Sequence, residues 1–256
     1  MCKVISVSNI KGGVGKSSIC QILGAGLHNK GYSVIMIDCD SQANLSSAFI
    51  GEPNDDVLTL YDLYNKGYSI DDIKIELKEG LDLVAGDFEL CAADMEFFKR
   101  AGSLKILSKA INKIEKKPSF IILDTPPSLG FLTLNAYFAS DFVLAPIYCD
   151  SFSLKAIRLL KQALNDVEED GHKLPVLGLI INKYNQRTNI SKALETNINT
   201  AAELLNTTPF NSKIRNATSI MESQLLKKDI FSHAGKNASI LKDCNDFIEE
   251  FLERVK

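Results

Sequence analysis

"VSNIKGGVGKSSIC", residues 7–20, decides how the rest of the chain is read. It follows an apolar run and leads into a segment of helical period, so Gly12, Gly13 and Gly15 fall in a strand-to-helix turn. Such glycines suit a loop that closes around phosphate oxygens. Backbone N–H groups reach an anion where no Cβ intervenes, and the helix N-terminus that follows adds partial positive charge. Lys16 then stands where an ammonium reaches β- and γ-phosphates, and Ser17 where a hydroxyl ligates Mg²⁺. The spacing G-x-x-x-x-G-K-[ST] is not met, because its first glycine would fall on Ile10. The match is to K-G-G-x-G-K-[ST], which places a second lysine, Lys11, ahead of the glycines.

Outward from this loop, short apolar runs rich in β-branched residues alternate with longer segments of helical period. The runs are 4–7, 34–37, 81–84, 120–123, 142–145 and 176–181. Several are apolar at nearly every position, as strands buried on both faces must be. Helices are predicted over 17–29, 58–65, 70–77, 90–99, 103–114, 154–167, 190–205 and 240–255, with Ser69 and Asp72 placed as a capping box. The pattern predicts an α/β fold: a mostly parallel, twisted sheet of about seven or eight strands with helices on both faces, a Rossmann-like three-layer P-loop architecture. Neither a repeat nor a linker rich in Pro, Gly or Ser divides the chain, so one domain over 1–256 is expected, with insertions falling in 51–118.

Composition narrows the classes. Apolar content of 45% and charged content of 24% fit a soluble globular chain and exclude a mostly disordered one. A formal charge of −3 means that contact with nucleic acid would need a local patch. Between Lys173 and Arg215 bases outnumber acids six to two, whereas 52–96 is acidic; two solvated faces of opposite sign are the other reading. The six cysteines contain no C-x-x-C pair and lie mostly in apolar runs, which suits buried thiols without disulfide or metal. No basic leader opens the chain and no apolar stretch approaches a membrane span, so a cytoplasmic protein is expected.

Two further stretches carry acids at strand ends. "VIMIDCDSQANLS", 34–46, ends a strand in Asp38 and Asp40, two apart and so on one side at the carboxyl edge of a sheet, where open α/β sheets bind ligands. "FIILDTPPSLG", 120–130, ends a second in Asp124, placed as a carboxylate that holds Mg²⁺ through water.

Together these segments resemble the ParA/MinD superfamily of ATPases with a deviant Walker A box, and the Pro-Pro-Ser-Leu-Gly run after Asp124 resembles the ParA/Soj partitioning branch. The resemblance spans nearly the full chain. It implies that Lys11 reaches across a dimer interface to the partner's phosphates; a cation supplied in trans can be worth ~10³ to 10⁵ in rate. It implies that Asp40 positions the attacking water and that Asp38 supports the magnesium region beside Ser17 and Asp124. Lys11, Gly12, Gly13, Val14, Gly15, Lys16, Ser17 and Ser18 would hold ATP. Ser41 and Ala43 depart from the family's usual proline and glycine, which bears on how this switch loop moves. In "LGLIINKYNQRTN", 177–189, Asn182 is the candidate for reading the adenine edge. In "KIRNATSIMESQ", 213–224, Arg215 is a candidate for the nucleotide pocket.

The resemblance also implies ATP and Mg²⁺ as cofactors and an ATP-bound sandwich homodimer. It further implies sequence-independent binding to double-stranded DNA on the nucleoid, and a ParB-like partner that stimulates hydrolysis. Lys213, Arg215, Lys227, Lys228 and Lys236 are the DNA-contact candidates, a solvated surface being the other reading of each. An N-terminal helix-turn-helix is not expected, since the loop begins at residue 11. A MinD-like membrane-cycling or cargo-positioning ATPase is the alternative. Its membrane tail would need a basic face, whereas the last segment sets Asp243, Asp246, Glu249, Glu250 and Glu253 against its apolar stripe. Iron-protein reductases and ATP-dependent ligases share the loop, but no cysteines are suitably placed near Asp124 for a bridging cluster. His28, His172 and His233 share no motif.

Overall fold

The computed structural model describes residues 2–53, 56–100, 102–148, 154–185, 192–235 and 238–256. Eight strands form one sheet: β1 (Lys3–Val7), β2 (Val34–Asp38), β3 (Lys74–Lys78), β4 (Leu81–Val84), β5 (Phe120–Asp124), β6 (Phe142–Tyr148), β7 (Val176–Tyr184) and β8 (Pro209–Arg215). Their spatial order is β3-β4-β2-β5-β1-β6-β7-β8. All neighbours are parallel except β3 and β4. The expected α/β, mostly parallel sheet is therefore present, with eight strands.

Twelve helices accompany it among the described residues: α1 (Lys16–Asn29), α2 (Asn44–Phe49), α3 (Leu60–Lys66), α4 (Ile70–Ile73), α5 (Leu90–Glu96), α6 (Ile106–Asn112), α7 (Phe131–Ala139), α8 (Leu154–Glu169), α9 (Lys192–Leu204), α10 (Thr218–Leu225), α11 (Ile230–His233) and α12 (Ser239–Arg254). Alternation along the strands divides the core. Ile5, Val7, Val34 and Met36 pack with α1 and α12, whereas Val4, Ile35 and Ile37 pack with α3, α5, α6 and α7. A third cluster joins β6 and β7 to α7, α8 and α9. Tyr64 and Phe97 meet Phe131 at 5.0 and 5.8 Å, so these aromatics belong to the core, while Phe98 is exposed. The apolar stripe of α12 is likewise used inside: Phe247 stacks on Phe210 and Phe251 on Phe120. The stripe thus packs on the sheet, against β5 and β8. No helix among the described residues is long and apolar enough to cross a membrane.

Besides the short helices α2, α10 and α11, absent from the sequence reading, the structure departs from it at three places. The helix expected over 70–77 lasts one turn. Its capping box forms, with the Ser69 amide donating to Asp72 and the Asp72 amide to Ser69, but from Lys74 the chain turns to β-structure. The Glu79–Gly80 turn folds that segment back on the buried strand β4, and the ladder to β4 outweighs helix propensity in an exposed KIELK. β8 was not anticipated: an edge strand with polar residues at alternate positions carries no apolar run. α7 was missed for the opposite reason, since FLTLNAYFA is buried nearly all round and shows no amphipathic stripe.

Candidate functional site: a phosphate loop facing three carboxylates

β1 and β2 both run beside β5, and their registers coincide at the carboxyl edge: Val7 pairs with Asp124, and Asp38 pairs with the same Asp124. The loop that leaves Val7 therefore starts beside two carboxylates on neighbouring strand ends. Gly13 and Gly15 hold φ of 77° and 88°, the left-handed region that glycine enters without steric cost. Gly15 is also the N-cap of α1 and supplies no side-chain cap, so the first-turn N–H groups of α1 are left to an anion.

Lys16, Asp38, Asp40 and Asp124 are all buried. Ser46 donates to Asp38 Oδ2 twice, through its amide at 2.8 Å and its hydroxyl at 2.7 Å, and the Asp40 amide donates to Oδ1 at 3.2 Å. Burial nevertheless pushes Asp38 up to about 6 against those bonds. Asp124 is in a harder position. Neither of its oxygens has a hydrogen-bond partner of good geometry among the described residues. Burial first, and the Asp38 charge next, raise its pKa well above the usual carboxylate range, against the pull of the Ser17 hydroxyl and Lys16. Burial lowers Lys16, with Asp124 and then Asp40 opposing it. Three buried carboxylates thus meet one buried ammonium. An unpartnered buried carboxylate beside a second one and a serine hydroxyl is a donor set that fits a hard divalent cation. Two thiols are buried nearby, Cys20 on α1 in the cluster with α12 and Cys39, between the aspartates in sequence, in the cluster on the other face of the sheet. Burial and the adjacent carboxylates raise both.

A cavity of about 760 Å³ opens over this group, within the range of small-ligand pockets. Its floor is Gly12, Gly13 and Gly15 to Ser18; Asp40 and Gln42 bound it on the switch side, and Met221, Gln224 and Lys227 close it from α10 and the turn after it. Asp40 Oδ1 accepts from the Gln42 amide at 3.0 Å, which sets the carboxylate at the cavity wall. Gln224 donates to Ser18 Oγ at 3.1 Å, tying α10 to the first turn of α1.

The site residues read from sequence divide on this geometry. Gly12, Gly13, Gly15, Lys16, Ser17, Ser18 and Asp40 line the cavity, while Asp38 and Asp124 lie buried beneath it and Val14 is buried within the loop. Lys11 precedes the turn, half-buried; its amide donates to Asn9 Oδ1, and Asn9 is fixed in turn by Pro146 O. Asn182, the candidate for reading the adenine edge, lies against the phosphate loop. It is 2% exposed and donates to Val14 O at 2.9 Å, beneath the loop. Arg215 is committed to Asp243 through Nε at 2.6 Å and Nη2 at 2.8 Å, and does not line the cavity. The DNA-contact candidates are not one set: Lys213 lies over the Tyr184 ring, Lys227 lines the cavity and bonds Ile50 O, Lys228 is exposed, and Lys236 lies outside the described residues.

Sequence reasoning missed Ser46, Gly86 and Lys183. The Gly86 amide donates to Ser46 Oγ at 2.9 Å, and a Cβ on Gly86 would stand 2.7 Å from Asp38 O and 3.1 Å from Asp40 O. Lys183 lines the cavity and bonds Gly13 O. The one available signal was a glycine two residues past a strand, a place where another backbone can approach closely. Ala43, where the family usually has glycine, sits at φ 48° as the N-cap of α2.

Comparison with known proteins fits this site. Residues 2–176 match the AAA_31 family, described as an AAA domain. The sporulation initiation inhibitor protein Soj of Bacillus subtilis is 33% identical over 192 residues, covering 74% of this chain and 76% of Soj. The chromosome partitioning protein ParA of Caulobacter vibrioides is 31% identical over 195 residues, 74% of this chain and 73% of ParA. Among solved structures, cobyrinic acid a,c-diamide synthase of Mycobacterium smegmatis with a bound ATP analog and magnesium superposes with a TM-score of 0.85 at 23% identity, over 100% of this chain and 96% of that one. A plasmid partition protein of Borrelia burgdorferi bound to AMPPNP gives 0.81 at 24%, over 99% and 100%. At those identities the structures speak for the fold, and the sequence relatives for the family. With the K-G-G-x-G-K-S loop facing Asp38, Asp40 and Asp124, the chain belongs to the ParA/Soj family of partitioning ATPases.

Proposed function

We propose that this chain is a Mg²⁺-dependent ATPase that partitions DNA, working as an ATP-bound homodimer on sequence-independent double-stranded DNA until a ParB-like protein triggers hydrolysis. The observation that carries the reading is the coincidence of Asp38 and Asp124 at adjacent strand ends beneath the glycine loop, with Asp124 unpartnered. Ser17, Asp38 and Asp124 would hold Mg²⁺, which when bound neutralises charge on the triphosphate. The loop N–H groups of Gly12 to Ser18 bind the phosphates, and Lys16, already desolvated, adds a fixed charge. Asp40, at the cavity wall, orients the water that attacks the γ-phosphate. Lys11 acts on the nucleotide of the second copy, so turnover requires dimerisation. The family relationship supports the partitioning role and, with it, a cytoplasmic, nucleoid-associated location.

The test measures ATP turnover and DNA retention, with and without a ParB-like protein, for wild type, Lys11→Ala and Asp40→Ala. Lys11→Ala should lose stimulated turnover and dimer formation, whereas Asp40→Ala should still dimerise with ATP and stay on DNA. Normal stimulated turnover in Lys11→Ala removes the action in trans. Retention on DNA that ignores nucleotide removes the partition cycle.

A further inference from the structure

Asn182 and Lys183 are consecutive residues at the carboxyl end of β7, and each reaches a carbonyl of the phosphate loop. Asn182 Nδ2 donates to Val14 O at 2.9 Å and Lys183 Nζ to Gly13 O at 3.0 Å. We infer that the two residues are a clamp that pre-forms the phosphate cradle, acting through the loop backbone and not through contact with the nucleotide.

In a trans peptide the C=O of one residue and the N–H of the next belong to one plane and point opposite ways. Holding Gly13 O and Val14 O from the β7 side therefore turns the amides of Val14 and Gly15 away from β7 and fixes them there. Amides fixed in this manner are what a backbone anion site needs, because their orientation then costs nothing when the ligand arrives. Without the clamp, a loop with Gly13 and Gly15 in the left-handed region would have wide conformational freedom, and ordering it would weaken ligand binding.

Three details fit a residue held for this purpose. Asn182 is oriented from both ends, since its Oδ1 accepts from the Lys183 amide at 2.9 Å. A Cβ on Gly15 would run into the Asn182 amide, so glycine at that position is also what lets β7 reach the loop. Lys183 adopts φ 54°, a region uncommon for a residue with a side chain and retained where surrounding contacts fix it. Its ammonium also lies 5.6 Å from the centre of the Tyr148 ring.

The inference rests on the nucleotide reading above, and the experiment separates the two. Lys183→Met and Lys183→Arg are compared with wild type by amide hydrogen exchange of segment 9–20 in nucleotide-free protein, and by affinity for Mg–ADP and Mg–ATP. Lys183→Met should exchange faster in that segment with the rest of the protein unchanged. It should lose ~10-fold in affinity for ADP and ATP alike, because the cradle holds phosphates common to both. Lys183→Arg should restore most of each. Wild-type exchange and affinity in Lys183→Met would overturn the clamp alone. So would a loss confined to ATP with unchanged exchange, which is the signature of direct contact with the terminal phosphate. A wild type that binds neither nucleotide would overturn the functional reading and the clamp with it.

Discussion

Gly86 lies far in sequence from the phosphate loop, yet Gly86→Ala should damage the site as much as a change in its carboxylates. The added methyl would stand 2.7 Å from Asp38 O, 3.1 Å from Asp40 O and 3.2 Å from Asp38 Cγ. Two of these neighbours are backbone atoms, with no flexible side-chain end that could swing aside. Either the 38–40 segment shifts, or the segment after β4 withdraws and breaks the bond from the Gly86 amide to Ser46 Oγ. Overpacking of this kind costs about 1–3 kcal/mol, and a buried donor left unpaired a further ~1–3 kcal/mol. A loss of roughly 1–3 kcal/mol in unfolding free energy is expected if the 38–40 segment shifts, and of roughly 2–6 kcal/mol if the Gly86 bond is broken as well. Because Ser46 also donates to Asp38, the damage reaches the carboxylates, and a displacement of about 1 Å there costs ~10²-fold in turnover. The assay is urea unfolding paired with steady-state ATP hydrolysis. Gly235→Ala is the matched control, since its Cβ would meet nothing within 4 Å. The control should stay within about 0.5 kcal/mol of wild type. A Gly86→Ala protein with wild-type stability and turnover would refute the close-approach argument.

Three further outcomes follow from the same geometry. Ala43→Gly should raise stability by about 0.5–1 kcal/mol, because a left-handed L-residue costs ~1–2 kcal/mol and the greater freedom of unfolded glycine returns part of it; thermal unfolding measures it. Asp38→Asn should gain on wild type as pH rises. The folded Asp38 value, about 6, lies above the unfolded one, so wild type has its full share of stability below about pH 4 and loses it as pH climbs through 6. The difference in unfolding free energy should grow from near zero at low pH to about 3 kcal/mol at neutral pH without magnesium. A flat difference would contradict the burial of that carboxylate. Arg215→Ala should destabilise by about 1–2 kcal/mol through loss of its two bonds to Asp243. If it weakened DNA retention with stability unchanged, the guanidinium would belong to the DNA face after all.

How far the sequence could be read depended on how local each signal was. The phosphate loop and the strand-end aspartates were legible because a few consecutive residues carry their chemistry, and apolar runs marked six of the eight strands. β3 and β8 escaped because an edge strand is half-solvated, and in β3 a real capping box pointed to helix. Asn182 stands out in the sequence, but its bond to Val14 O depends on the packing of β7 under the loop, which no local pattern shows. Ser46, Gly86 and Lys183 act across 8, 40 or 170 positions of sequence, and no local pattern distinguishes them.

The thiol of Cys39, buried in the apolar core and next in sequence to Asp38 and Asp40, gives the molecule a built-in gauge. Burial holds it and Cys20 in the unreactive neutral form, while Cys91 stands exposed and Cys2 partly so. A thiol-modifying reagent would therefore consume the outer sulfurs at once and then wait on the inner ones. The slow phase would count how often the buried thiols Cys20, Cys39 and Cys244 are uncovered, and the share labelled at Cys39 how often the switch segment breathes, without any dye or engineered label. Ligands that hold that segment shut would announce themselves by lengthening the wait.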